Sequence, residues 1–318
     1  MILPDFQDII KAHNLIEKFI HRTPVMTSSA INRITGSELY FKCENLQKTG
    51  AFKFRGACNA IFSLSDLQAS KGVGTHSSGN HAAALALAAS MRGIKAHIVM
   101  PSTSTEIKKI AVSGYGGIIT YCEPTLEARE RTLNQIVLQK EIEVIHPYNN
   151  VRVIAGQGTA AKELIELFPN LDVIMCPVGG GGLLSGTALA AKSLSSSCRV
   201  IAAEPAGADD AYRSFKAGHI IPSHQPKTIA DGLLTSLGEI NFAIISRDVD
   251  EIITVSEESI IQAMRLIWER MKIIIEPSSA VPLAAILENE PLFRNLRVGV
   301  ILSGGNVDLE NLPFASAI

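Results

Sequence analysis

No apolar run in this sequence approaches the roughly 20 residues that span a bilayer. The start, Met1-Ile2-Leu3-Pro4-Asp5-Phe6, lacks the basic segment and apolar core of an export signal. No membrane association is therefore expected, and a cytoplasmic location is. A charge excess of one sign is missing as well: 29 Lys+Arg against 31 Asp+Glu leave a net charge of −2. That removes any bulk electrostatic reason to bind nucleic acid or an anionic surface. The five cysteines (Cys43, Cys58, Cys122, Cys176, Cys198) are odd in number, widely spaced and free of any C-x-x-C pair. Neither a disulfide framework nor a thiolate metal site is expected of them. Internal repeats, low-complexity tracts and Pro/Gly/Ser-rich linkers are absent too. What is present is 318 residues, 47% hydrophobic and 19% charged. This is an ordered globular chain with room for one large or two medium domains, suited to small-molecule chemistry.

Short apolar runs at 38–43, 96–100, 117–121, 173–176, 200–203 and 298–302 read as strands. Segments with helical periodicity at 6–19, 81–92, 126–141, 160–167 and 257–272 read as helices. Alternation at this spacing predicts parallel α/β sheets. The pattern marks no domain boundary, and two sheets fit the length.

Lys53 stands out in Asn45-Leu46-Gln47-Lys48-Thr49-Gly50-Ala51-Phe52-Lys53-Phe54-Arg55-Gly56-Ala57. Two flanking phenylalanines and nearby glycines suit an amine held in a partly apolar pocket, where it can form a Schiff base with pyridoxal phosphate. A solvated surface lysine is the ordinary alternative. The quartet Gly179-Gly180-Gly181-Gly182 lies between an apolar strand, Val173-Ile174-Met175-Cys176, and a helix opening at Leu183-Leu184-Ser185. Free N–H groups at such a turn, helped by the helix dipole, make a phosphate cradle. The spacing is not G-x-G-x-x-G, so a lone phosphate fits better than a dinucleotide, and a flexible turn is the plainer reading.

Ser77-Ser78-Gly79-Asn80-His81 opens the almost wholly apolar helix Ala82-Ala83-Ala84-Leu85-Ala86-Leu87-Ala88-Ala89. One N-cap needs one such residue, whereas five small polar groups in succession offer a receptor for an amino-acid carboxylate. His81 is either a ligand contact or a buried structural histidine. Glu204-Pro205-Ala206-Gly207-Ala208-Asp209-Asp210 follows a strand. Its carboxylates and carbonyls can wrap a hard cation such as Mg²⁺ or Ca²⁺, or can simply be solvated. Alone, Ser303-Gly304-Gly305 reads as a loop turn.

Taken together, Phe52-Lys53-Phe54-Arg55-Gly56-Ala57, the loop 77–81, the glycine quartet and Ser303-Gly304-Gly305-Asn306 stand in the order and approximate spacing of the fold type II pyridoxal phosphate enzymes. The chain resembles the serine/threonine dehydratase group and, within it, the serine racemases most, from Arg22-Thr23-Pro24 to Asn306. The resemblance implies a tryptophan synthase β-like arrangement of two open parallel-sheet α/β domains with the cofactor between them. The large domain would comprise 1–69 and 147–318 and the small one 70–146, with a homodimer as the assembly. Lys53 would carry the cofactor, Phe52 pack on its pyridine ring and Asn80 bond its 3′-oxygen. Gly179, Gly180, Gly181 and Gly182 with Leu183 would hold its phosphate, and Ser303 would face the pyridine nitrogen. A neutral hydroxyl there does not keep that nitrogen protonated, which suits β-elimination and fast reprotonation over transamination.

The resemblance likewise gives substrate contacts to Ser77, Ser78, Gly79, Asn80 and His81. It also places Arg129 beside the substrate side chain, where a guanidinium could clamp a β-carboxylate. A helix-surface arginine paired with Glu127 or Glu130 is the alternative. The matching acidic run assigns Glu204, the Ala208 carbonyl and Asp210 to a divalent cation. The implied activity is interconversion of L- and D-serine, with Lys53 serving one face of Cα and Ser78 the other, accompanied by elimination to pyruvate and ammonia. Alternatives are an L-threonine or L-serine dehydratase in which Ser78 only binds carboxylate, a threo-3-hydroxyaspartate dehydratase, and a non-catalytic ligand-binding member, against which Lys53 speaks. Tyr148 stands where animal members have asparagine and Ala83 where they have a nucleotide-contacting glutamine, although Lys108 and Tyr115 match. ATP activation is therefore not expected. Only 12 residues follow Asn306, so isoleucine control through a C-terminal regulatory domain is not expected either.

Overall fold

A computed structural model describes residues 2–314. The strands are β1 (Val25–Met26), β2 (Glu38–Cys43), β3 (Val73–His76), β4 (Ala96–Pro101), β5 (Ile118–Cys122), β6 (Glu143–Val144), β7 (Val173–Pro177), β8 (Arg199–Pro205), β9 (Glu251–Val255) and β10 (Arg297–Leu302). They form a six-stranded sheet in the order β1-β2-β10-β7-β8-β9 and a four-stranded sheet in the order β5-β4-β3-β6. The short β1 pairs antiparallel with β2, and the other pairings among the described residues are parallel.

The inner strands are apolar on both faces because helices cover both faces. Ile174, Cys176, Val200, Ala202 and Ile301 join one core. Their neighbours in sequence, Val173, Met175, Ile201, Ala203, Val300 and Leu302, join the core on the opposite face. This is the period of two that a pleated strand imposes. The four-stranded sheet has its own core, in which Ile98 and Met100 meet Ala82, Leu85 and Ala89 of the helix Asn80–Arg92.

One helix belongs to both halves. Lys53–Phe62 buries Phe54, Ala57, Cys58 and Ile61 in the core of the four-stranded sheet. Its other side presses on the helix Val151–Leu167, where a Cβ on Gly156 would lie 2.6 Å from the Arg55 carbonyl and one on Gly56 would lie 2.8 Å from the Val153 carbonyl. Only glycine permits that approach.

The six expected strands are all present, with ends shifted by two residues at most. The segment expected as a helix over 160–167 begins at Val151, capped by the Asn150 side chain on the N–H groups of Arg152 and Val153. Gly156 and Gly158 hide its first turns from a helix pattern, and both are there for close packing. The strands β1 and β6 are two residues long, and β3 is four with Gly74 inside it, too short for any periodicity to declare them.

Candidate active site

In open parallel sheets, ligand sites form beyond the carboxyl ends of the strands. Here those ends carry the candidate loops: 77–81 after β3, Tyr148 and its neighbours after β6, the glycine quartet after β7, the acidic run after β8 and Ser303 after β10. The Lys53 loop is sewn to the last of these. The Phe52 N–H donates to the Ser303 carbonyl at 2.9 Å, the Gly305 N–H donates to the Gly50 carbonyl at 2.9 Å, and Ala51 bridges Gly304.

Lys53 Nζ donates to the Pro147 carbonyl at 3.0 Å and lies 5.1 Å from the centre of the Phe52 ring. The side chain keeps some solvent contact while protein packs densely around the amine. That burial pushes the ammonium down to about 8, against the pull of Glu276. Two residues along the chain, Arg55 is fully buried and donates to both oxygens of Glu44 and both of Glu163, at 2.7 to 2.8 Å. Lys42 completes the cluster, 2.6 Å from Glu163. Two cations and two carboxylates cancel, as a dry interior requires.

Ser303 is buried, its hydroxyl 3.0 Å from that of Ser279. Among the described residues no acceptor takes the N–H groups of Gly179, Gly180, Gly181, Gly182 or Leu183. Gly181 sits at φ +91°, and a Cβ there would lie 2.8 Å from Asn241. A Cβ on Gly180 would run into the Tyr148 ring. The loop is thus packed on one side and offers five unpaired donors on the other, which fits a phosphate. The N–H groups of Ser78, Asn80 and His81 are equally without acceptors among the described residues, and nothing lies within 4 Å of a Cβ built on Gly79. An amino-acid carboxylate fits this opening.

The remaining candidates divide. His81 is 2% exposed, with Nε2 3.2 Å from the Ile145 carbonyl and Nδ1 buried without a partner. Burial first, then the Lys53 charge, pushes it down to about 3, so the ring is a neutral packing group and its backbone N–H is what faces the loop. Burial likewise lowers His146 to about 4, and its Nδ1 accepts from the N–H groups of Tyr148 and Asn149. Arg129 makes no carboxylate pair among the described residues: Glu127 pairs with Arg131, and Arg129 Nε reaches only the Thr125 carbonyl at 3.4 Å. Arg129 instead lies close enough to His76 to help burial lower that imidazole.

In the acidic run, Glu204 accepts from the N–H groups of Ala211 at 3.0 Å and Tyr212 at 2.8 Å. Asp210 is 1% exposed with neither carboxylate oxygen in a hydrogen bond of good geometry, although Ser223 stands near. Burial raises Glu204 to about 9 and Asp210 to about 6. No group of three or more His, Cys, Asp or Glu poised for a metal occurs among the described residues. Two carboxylates and a carbonyl are what this loop brings. The orphaned Asp210 oxygens fit a cation.

Glu276 carries no functional signal in the sequence. It precedes Pro277 at the start of the helix Pro277–Glu288 and reads as an ordinary cap residue, yet its side chain makes no cap bond. It lies buried in the cleft instead, accepting from Asn80 Nδ2. The cross-cleft pair Lys108–Asp231, at 2.7 Å, was equally silent in the sequence.

A sequence profile described as pyridoxal-phosphate dependent enzyme matches residues 16–304. The chain is 53% identical to the beta-hydroxyaspartate dehydratase of Paracoccus denitrificans (strain Pd 1222), over 99% of this chain and 100% of that protein. It is 56% identical to the serine racemase of Dictyostelium discoideum, over 96% of each. The crystal structure of that racemase superposes with a TM-score of 0.93, covering 96% of this chain and 99% of the other.

Proposed function

The chain belongs to the pyridoxal-phosphate dependent enzymes, and from that premise we propose that it interconverts L- and D-serine and also eliminates water from serine to give, after hydrolysis, pyruvate and ammonia. One observation carries this reading: a desolvated lysine stands between loops that bring two sets of unpaired backbone donors, five on 179–183 for a phosphate and three on 78–81 for a carboxylate. Pyridoxal phosphate bound to Lys53 supplies the electron sink that makes the Cα–H of an amino acid acidic.

The rest falls to the chain. The Gly179 to Leu183 donors and Phe52 would hold the cofactor, and the neutral Ser303 hydroxyl would be the partner of its ring nitrogen. The 77–81 loop seats the substrate carboxylate. With the cofactor bound, Lys53 would take the Cα proton on one face, and Ser78 would return a proton on the other. Departure of the β-hydroxyl instead of reprotonation gives the keto acid. The two reactions share their first half, so both are expected.

A second substrate class is favoured by one feature. The Arg129 guanidinium has no carboxylate partner among the described residues and lies near His76. A β-carboxylate would complete it, so threo-3-hydroxyaspartate enters as an eliminated substrate of the same site. The same reading includes a small domain of about 70–146 inserted into the remainder, with the cofactor between them, and Mg²⁺ or Ca²⁺ held by Glu204, the Ala208 carbonyl and Asp210. A homodimer rests on the family likeness. A cytoplasmic location is supported by five free cysteines, which suit a reducing compartment. No described helix is long and apolar enough to cross a membrane.

The test is incubation of the holoenzyme with L-serine, L-threonine and L-threo-3-hydroxyaspartate while both D-isomer and keto acid are followed. D-serine and pyruvate from L-serine are the expected products. Keto acid from all three with no D-serine would reduce the function to a dehydratase.

A further inference from the structure

We propose that Glu276 is a positioning residue, which clamps Asn80 across the cleft and so sets the orientation of the amide that faces the cofactor ring. This rests on the reading of Lys53 as the cofactor-bearing lysine. Glu276 is 5% exposed and forms no ion pair among the described residues. Asn80 Nδ2 donates to its two oxygens at 2.9 and 3.1 Å, and the Asn306 N–H donates to Oε2 at 3.1 Å. Asn306 Nδ2 in turn donates to Asn80 Oδ1 at 2.9 Å and to the Thr49 carbonyl at 2.8 Å, four residues before Lys53. Asn80 is thereby bracketed on both ends of its amide by Glu276, between the helices Glu257–Met271 and Pro277–Glu288, and by Asn306, after β10. Two glycines make room for the bracket: a Cβ on Gly304 would come within 2.8 Å of the Glu276 carboxylate, and one on Gly50 within 2.5 Å of Asn306.

Stability does not explain a carboxylate here. A buried charge without a cation costs free energy that a neutral glutamine would avoid, but a glutamine has one acceptor oxygen and cannot accept from both Asn80 and the Asn306 N–H through two oxygens as the carboxylate does. The carboxyl does not cap its own helix. Burial lifts it to about 7, a balance that Asn80 and the Asn306 N–H pull down, with Asp231 opposing and Lys108 aiding ionisation. Its charge also raises Lys53. A group so placed orients Asn80 and holds charge beside the lysine.

The holoenzyme and its Glu276→Gln variant are compared by thermal melting, by the pH dependence of the band of lysine-bound cofactor near about 410 nm, and by kcat and KM for L-serine. The variant is expected to melt at or above the parental temperature at a pH of about 8, where the parent carries the buried charge. Its band midpoint should move to lower pH, since the charge that favours the protonated linkage is gone. Misorientation of Asn80 should lower kcat about tenfold or more while KM changes less. Asn306→Ala, which removes the other bracket, should lower kcat in the same way.

A folded Glu276→Gln with parental midpoint and kcat overturns the proposal. So does one that fails to accumulate as folded protein, because the carboxylate then serves the fold. A parent without a band that Lys53→Ala removes defeats the lysine reading itself, and this inference with it.

Discussion

At the scale of single residues, the reaction turns on which face of Cα each group serves. Lys53 is held on the Pro147 carbonyl at 3.0 Å, while Ser78 lies on a separate loop after β3, where its own N–H and those of Asn80 and His81 are unpaired. Ser78→Ala is therefore expected to lower L-to-D conversion by roughly 10²- to 10⁴-fold. Elimination from D-serine, whose proton Ser78 must take, should fall with it. Elimination from L-serine should survive, because Lys53 alone takes that proton. D-serine and pyruvate measured from each isomer decide the matter, and D-serine formed at the parental rate by the variant removes Ser78 from the mechanism. Lys53, Ser78 and the glycines were legible in the sequence because each sits in a run whose composition is odd for a plain loop. Glu276 was not. A glutamate before a proline at a helix start is ordinary until the fold carries it across the cleft to Asn80.

At the scale of elements, the loops after the strands do the chemistry and the strands only aim them. Periodicity found the long buried strands because helices cover both faces of β7, β8 and β10, leaving continuous apolar runs. It missed the helix Lys53–Phe62, since Arg55 and Asn59 break its apolar stripe. Both are buried for reasons that are not local: Arg55 meets Glu44 and Glu163, and Asn59 meets the Arg152 carbonyl at 2.7 Å. The turn after β8 bears the next prediction. If Glu204, Ala208 and Asp210 hold a divalent cation, a chelator should lower the melting temperature and added Mg²⁺ or Ca²⁺ should restore it. A metal concentration of about 100 times Kd corresponds to about 2.7 kcal/mol. Asp210→Ala should abolish the response. Identical melting curves with and without chelator would leave the loop a buried turn that holds no metal.

At the scale of the whole molecule, two sheets meet over a cleft whose walls hold titratable groups far from their ordinary states. His81 at about 3 and His146 at about 4 are neutral when folded, against about 6.5 when unfolded. Lowered histidine values mean that the unfolded chain binds more protons below that point. Their contribution is complete above a pH of about 6.5 and is lost as pH falls toward 4 and 3, at up to about 1.4 kcal/mol per unit for the fully buried His81 and less for the partly exposed His146. Glu204, Asp210 and Glu276 are raised and act in the opposite direction, favouring the folded state in acid. His81→Gln isolates the histidine part: its melting temperature should fall less than the parent's between a pH of about 7 and about 5. Equal slopes would mean that His81 is protonated in the folded chain. The central claim, that Lys53 takes one Cα proton and the deprotonated substrate then has two fates, is tested most directly by running the reaction on L-serine in deuterium oxide. D-serine deuterated at Cα should appear together with pyruvate from the parental holoenzyme, and Lys53→Ala should yield neither. Turnover by Lys53→Ala at a tenth of the parental rate, or pyruvate with no deuterated D-serine from the parent, would contradict it.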